Sequence, residues 1–182
     1  LATSAQTSES LRTQLSNGSL AGNWTLDSGR SSAALRSKSM WGLVPVKGTF
    51  GTLEGSGTIS PEGEAAGSIA LTVESLDTKN KKRDTHLRSA DFFLSEKFPK
   101  ITFTADKVVP AAEGATVSGT LTVRDTSRQI SFPATVELAG DGDITLDATA
   151  QVDRSEFGLT WSPMGMSSMH NTIVIHAVFT KD

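Results

Sequence analysis

The chain of 182 residues contains no cysteine, so it forms no disulfide and offers no thiolate to a metal, although the redox compartment stays open because absence is compatible with either. No apolar run approaches the roughly 20 residues that a bilayer-crossing helix needs. The opening LATSAQTSES also lacks the basic and apolar regions of an export signal. As given, the chain reads as soluble and cytoplasmic, or as periplasmic or secreted if an export signal has been removed ahead of Leu1. Nor is positive charge in excess, with 17 lysines and arginines against 20 acids. A net charge of −3 gives no broad field for a polynucleotide, so nucleic acid is not an expected partner. Catalytic signatures are missing: there is no nucleophile elbow, no H-E-x-x-H and no spaced ligand set. A His86 and Asp84 acid–base pair is the weak remaining option. The expectation is therefore a protein that is not an enzyme and carries no cofactor.

What is present is 37% hydrophobic and 20% charged residues, the balance of one ordinary globular domain. From Trp24 onward the pattern alternates with a period of two, the mark of half-buried strands. In 144–153, Ile144, Leu146, Ala148, Ala150 and Val152 fall on one side, and Thr145, Asp147, Thr149, Gln151 and Asp153 on the other. The run 130–138 does the same, with Pro133 suggesting an edge position or a bulge, because proline cannot donate to a ladder. Further strands are read at 24–27, 33–39, 69–73, 101–105, 117–123 and 173–179, with one or two more between 46 and 59. Many consecutive strands with short turns and no βαβ rhythm argue for an all-β antiparallel sheet that closes on itself. Two segments break the rhythm. Residues 84–98 are expected to be helical, capped at Asp84 or Ser89 and ending before Pro99; residues 154–170 are a connection. Residues 1–20 read as a loose arm, with Leu11 and Leu15 four apart and Asn17-Gly18 able to stop a short helix.

The stretch RDTHLRSADFFLSEKFPKITF, from Arg83 to Phe103, carries Asp84, His86, Leu87, Arg88, Ser89, Asp91, Phe92, Phe93, Lys97, Phe98, Pro99, Ile101 and Phe103. With WTLD at 24–27, KGTFGTLEGSGTI at 47–59, GTLTV at 119–123 and VDRSEFGL at 152–159, it closely resembles the YceI-like family, lipocalin-like β-barrels that bind isoprenoid lipids. The resemblance implies a lipocalin-like barrel of about eight strands over residues 21–182, preceded by the arm at 1–20. It implies binding, carriage or storage of an elongated apolar ligand, such as a polyisoprenoid, an isoprenoid quinone or a fatty amide. It also implies pairing into a homodimer, for which a strand edge at 172–180, apolar on both faces through Val174 and Val178, is suited. Two departures stand out. Asp125 replaces a usual glycine in the turn 124–128, and LDSGRS places Arg30 where the family has histidine, which suggests a changed head-group preference.

Residue size bears on whether such a barrel is hollow. Ala105, Gly119, Ala134, Ala148, Ala150 and Ala177 interrupt the large inward residues, and eight strands are wide enough either to fill with side chains or to keep one small ligand. The residues leave both readings open, since Phe50, Phe103, Phe132 and Phe179 can interdigitate with those alanines; the resemblance favours a cavity. The expected ligand-binding residues on the strands are Phe50, Ile69, Leu71, Phe103, Leu121, Phe132, Ala148 and Ile175. From the connections, Phe92, Phe93, Phe157, Met164 and Met166 are expected to join them.

His86 and Arg88 are candidate head-group contacts at the cavity mouth, although Asp84, His86, Arg88, Ser89 and Asp91 can equally serve to cap and anchor the connecting helix. The run Lys79, Lys81, Lys82 and Arg83 suits a solvated turn as well as a phosphate head or an anionic membrane surface. Met164, Met166 and Met169 lie close in sequence to His170, and thioethers with an imidazole suit Cu(I). Copper handling is thus the alternative function, against the use of methionine as adaptable apolar filler.

Overall fold

The structure is a computed structural model and describes residues 11–112 and 114–182. Eleven strand segments form one antiparallel sheet: β1 (Gly22–Leu26), β2 (Ser32–Ser39), β3 (Val44–Phe50), β4 (Leu53–Ile59), β5 (Ala65–Thr72), β6 (Leu76–Asp77), β7 (Lys100–Ala111), β8 (Gly114–Val123), β9 (Thr126–Leu138), β10 (Ile144–Asp153) and β11 (His170–Lys181). In the order β1-β4-β5-β7-β8-β9-β10-β11, with β1 pairing again with β11, eight of them close a barrel. The other three prolong it. Along one edge of β11, residues 172–176 pair with β2 and residues 179–181 with β1, so β1 and β2 are two halves of one bent strand. The same holds for β3 with β4, and for β5 with β6, whose halves pair in matching order. The wall is a meander in which every strand lies beside its sequence neighbour and the last returns to the first.

Local chemistry makes the bends. At the first, the Asp27 carboxylate accepts hydrogen bonds from the Gly29 and Arg30 amides at 3.0 and 3.3 Å, the Asx arrangement that turns a chain without a helix. Arg30 then bridges Asp27 and Asp143, each at 2.8 Å. The guanidinium lies half in solvent, ties the bend to the β9–β10 turn and is not among the residues that line the barrel interior, so the expectation that it alters head-group preference is not supported. In the 124–128 turn it is Arg124, not Asp125, that takes the positive φ of 56°.

Pro133 falls where β9 stops pairing with β10: the ladder between them covers residues 134–138 of β9 only. Residues 126–133 keep just their β8 partner, the edge position that a missing amide hydrogen allows. Gly119 marks the tightest approach in the wall, opposite the irregularity between Ala105 and Lys107. A Cβ there would stand 2.1 Å from the Thr104 carbonyl oxygen, so no larger residue fits.

The expected helix at 84–98 is shorter and earlier. It is α2, Lys81–Leu87, with Asn80 as its cap accepting from the Arg83 amide at 3.0 Å. Asp84 is unavailable as a cap because its carboxylate already accepts from the Thr78 amide and hydroxyl. Beyond Arg88 the chain runs through successive turns, with Leu94 at φ 47°, which lets Phe92 and Phe93 both be buried.

The arm is not loose over its described part, residues 1–10 lying outside the described residues. Residues 11–16 form a helix, α1, and Leu11, Leu15 and Leu20 are buried with Trp24 against the barrel rim at Ala115 and Val136. The Leu11 and Leu15 spacing puts both on one face, and each such burial contributes about 1.5–3 kcal/mol. β11 is hydrogen-bonded along both edges, so the free edge expected at 172–180 as a dimer contact does not exist. Among the described residues no helix is long and apolar enough to cross a membrane, which says nothing of β-strands.

Candidate functional site

The period-two pattern becomes an inside and an outside. On β10, Asp147 and Gln151 face out, where Asp147 meets the His176 imidazole at 2.6 Å and Gln151 accepts from Thr172. Ile144, Leu146, Ala148 and Ala150 face in. What they enclose is a hollow in two chambers, about 210 Å³ and about 190 Å³. Leu71, Ile101, Leu121 and Ile173 line both and form a waist between them. Together the chambers reach the lower part of the range of about 300–1,000 Å³ usual for small-molecule sites.

The upper chamber contains no charged side chain in its lining. Ile69, Phe103, Phe132, Ala148 and Ile175 form its wall, and Leu11, Leu15, Leu20 and Trp24 close its end. Phe103 and Phe132 meet at 5.2 Å between ring centroids, yet the alanines beside them leave space that the rings do not fill. The lower chamber differs in character. Phe50, Phe92, Phe93 and Phe157 supply apolar wall, while Lys38, Arg83, His86 and Arg154 bring cationic or ionisable groups and Asn171 an amide. No carboxylate stands among its lining residues.

Arg154 is the most constrained of these. Its side chain is buried, and its guanidinium donates to the carbonyls of Ser168, Leu159 and Ser167 at 2.9, 2.7 and 3.3 Å while lying over the Phe92 ring. Burial pulls its pKa below the ordinary arginine value, only partly offset by Asp153. Among the described residues it makes no ion pair, so a buried positive charge borders the chamber held mainly by carbonyl dipoles and the Phe92 ring, with only a longer-range contribution from Asp153. His86 Nε2 meets Asp91 at 2.9 Å, and its ring sits edge-on to Phe92 and Trp161.

Arg88 is elsewhere. It lines neither chamber, and its guanidinium donates to the carbonyls of Glu74 and Leu76, which fastens α2 to the β5–β6 bend. Met164 and Met166 are not in either lining: Met164 is 83% exposed in the turn Pro163–Gly165, and Met166 is half-buried. The strand pattern could not place them, because a connection without a period gives no inside. Nor did it single out Ile101 and Ile173 as the waist, although their alternation puts both inward. The closing leucines and Arg154 come together only in three dimensions. Among the described residues, no group of three or more histidine, aspartate or glutamate side chains is placed to hold a metal.

Residues 24–180 match the family model described as a YceI-like domain. A UPF0312 protein of Enterobacter sp. (strain 638) is 31% identical over 137 residues, covering 70% of each chain. Protein YceI of Escherichia coli O17:K52:H18 is 35% identical over 98 residues, covering 53% of this chain and 50% of its own. In three dimensions, BcnA of Burkholderia cenocepacia superposes with a TM-score of 0.76 at 23% identity, over 84% of this chain and 98% of that one. A polyisoprenoid binding domain from Saccharophagus degradans, implicated in plant cell wall breakdown, gives 0.70 at 18% identity, over 87% and 98%. At those identities the likeness is one of fold.

Proposed function

The chain belongs to the YceI-like family, and from that premise we propose that its barrel binds one elongated, mainly apolar molecule for carriage or storage, without chemistry. Polyisoprenoids, isoprenoid quinones and fatty amides are the ligand classes that suit it. The observation that carries the reading is the pair of chambers joined at the waist of Leu71, Ile101, Leu121 and Ile173. A tail lies in the uncharged upper chamber and crosses the waist; the polar head rests in the lower one, beside His86, Lys38 and Arg154. Each CH₂ buried contributes about 0.8 kcal/mol, so several isoprene units bind usefully with few polar contacts. The binding described for the Saccharophagus degradans neighbour supports the same ligand class.

Ala148, 8% exposed and opposite Ala134 and Ile175, is the place to test it. Ala148→Phe fills the upper chamber. Titration with farnesol or a longer prenol, followed through Trp24 fluorescence, is expected to show affinity reduced at least tenfold, with the circular dichroism of the barrel retained. Unchanged uptake would mean that the ligand does not occupy this interior.

A further inference from the structure

The seven large apolar side chains most exposed among the described residues are not scattered. Met40, Trp41, Leu43 and Val44 lie on the β2–β3 hairpin, and Trp161 and Met164 on the connection to β11, leaving only Val109 elsewhere. The two loops are fastened to each other. The Trp41 amide donates to the Met166 carbonyl at 3.1 Å, the Ser168 amide to the Lys38 carbonyl at 2.9 Å, and the Trp41 indole to the Met164 carbonyl at 3.2 Å. The six side chains therefore belong to one patch, with Leu43 82% and Trp41 62% exposed. A patch of this kind on a soluble face marks a contact.

Its backbone is unusual for so apolar a segment. Met40 and Trp41 both stand at positive φ, 52° and 55°, a conformation that residues other than glycine adopt at a cost. That conformation, together with the indole bond, presents the tip of the hairpin outward.

Charge defines the partner. From Ser31 to Leu53 the sequence holds Arg36, Lys38 and Lys47 and no acid, and from Phe157 to Lys181 it again holds no acid. Lys81 and Lys82 open α2, after Lys79, which pairs with Asp77 at 3.3 Å, and Arg83, His86 and Leu87 of the same helix line the lower chamber at this end. Apolar tips with two tryptophans, flanked by lysines and no carboxylate along their own segments, are the composition of a surface that inserts shallowly into a bilayer interface carrying anionic lipid. The patch is also continuous with the hollow: Lys38, Ser39 and Trp161 border it and line the lower chamber.

We infer that the β2–β3 hairpin and the 161–166 loop form a docking face for an anionic membrane surface, which brings the mouth of the lower chamber against the lipid. The purpose assigned to this docking, exchange of a lipid cargo, rests on the cavity reading above; the docking itself does not.

The test is co-flotation with vesicles of phosphatidylcholine alone and of phosphatidylcholine mixed with phosphatidylglycerol. The full chain is expected to float with the mixed vesicles, more weakly with the neutral ones, and less as salt rises. A double variant, Trp41→Ser with Leu43→Ser, removes two exposed side chains together with the indole bond to Met164 and is expected to lose at least tenfold in partitioning. Lys47→Gln, at an exposed position that lines neither chamber, is expected to lower it about fivefold on the mixed vesicles and to leave the neutral ones unaffected. Prenol uptake measured in parallel separates the two claims: a variant that binds prenol normally but no longer floats supports docking by this face. Equal flotation of wild type and the double variant overturns the proposal. So does a wild type that ignores vesicles and instead self-associates through the patch, with sedimentation velocity showing a dimer that the double variant abolishes.

Discussion

Arg154 joins the wall of the lower chamber to the connection that follows β10. Its guanidinium is held by three carbonyls and no carboxylate, so its replacement removes the side-chain donor from the buried Leu159 carbonyl and the half-buried Ser168 carbonyl, while the Ser167 carbonyl keeps the Ser162 hydroxyl. Arg154→Met is expected to lower stability by at least about 2 kcal/mol, read as a drop in the urea midpoint. Arg154→Lys keeps the charge but lacks the planar fork, and is expected to recover only part of that loss. Whether the residue mattered to the cavity was not legible from VDRSEFGL, where Arg154 reads as one more polar position after a strand; its partners come from residues 159–168 by tertiary contact. Alternating residues behaved differently. Ala148 and Phe132 could be oriented from the sequence because a strand's period fixes both faces at once, whereas Met164 and Met166 sit in a connection with no period, and their apolarity alone wrongly suggested the interior.

Two short elements close the barrel, and each makes a prediction. At the upper end, α1 sets Leu15 into the chamber. Leu15→Ala is expected to cost about 2–4 kcal/mol in chemical denaturation and to speed release of a bound prenol in stopped-flow exchange, because the end of the hollow is then less well sealed. The Leu11 and Leu15 spacing was legible as helical; that the helix seals a barrel was not, since nothing local says what its apolar face meets. At the lower end, Asp153 caps the short helical turn Arg154–Phe157 by accepting from the Ser155 amide and hydroxyl. Those bonds hold its carboxyl below the usual carboxylate value, hydroxyl first and amide next. A depressed native pKa means stabilisation that is present above the unfolded value of about 4 and disappears as pH falls through the lower native one. Denaturation midpoints of the wild type are thus expected to fall between neutral pH and pH near 3 by more than those of Asp153→Ala; equal pH slopes would remove the cap from the account. The displaced helix α2 follows the same rule as α1: Asp84 has the chemistry of a cap, but Thr78, outside the helix, takes its carboxylate.

At the scale of the molecule, the closed meander, its antiparallel sense and its family could be read from alternation and the 83–103 signature, because both are properties of consecutive residues. The division of the interior into an uncharged and a cationic chamber could not, since it depends on which bent strand half faces which end. On the proposed reading, that division gives an amphiphile one end for its tail and the other for its head. Closure also explains why β11, apolar on both faces, is no dimer edge: its two sides are both taken. The most direct measurement is native mass spectrometry of the protein purified without detergent. The account predicts an adduct of lipid mass, released on unfolding and much reduced in Ala148→Phe. A wild-type chain that stays bare after incubation with excess prenol, while remaining folded, would contradict it.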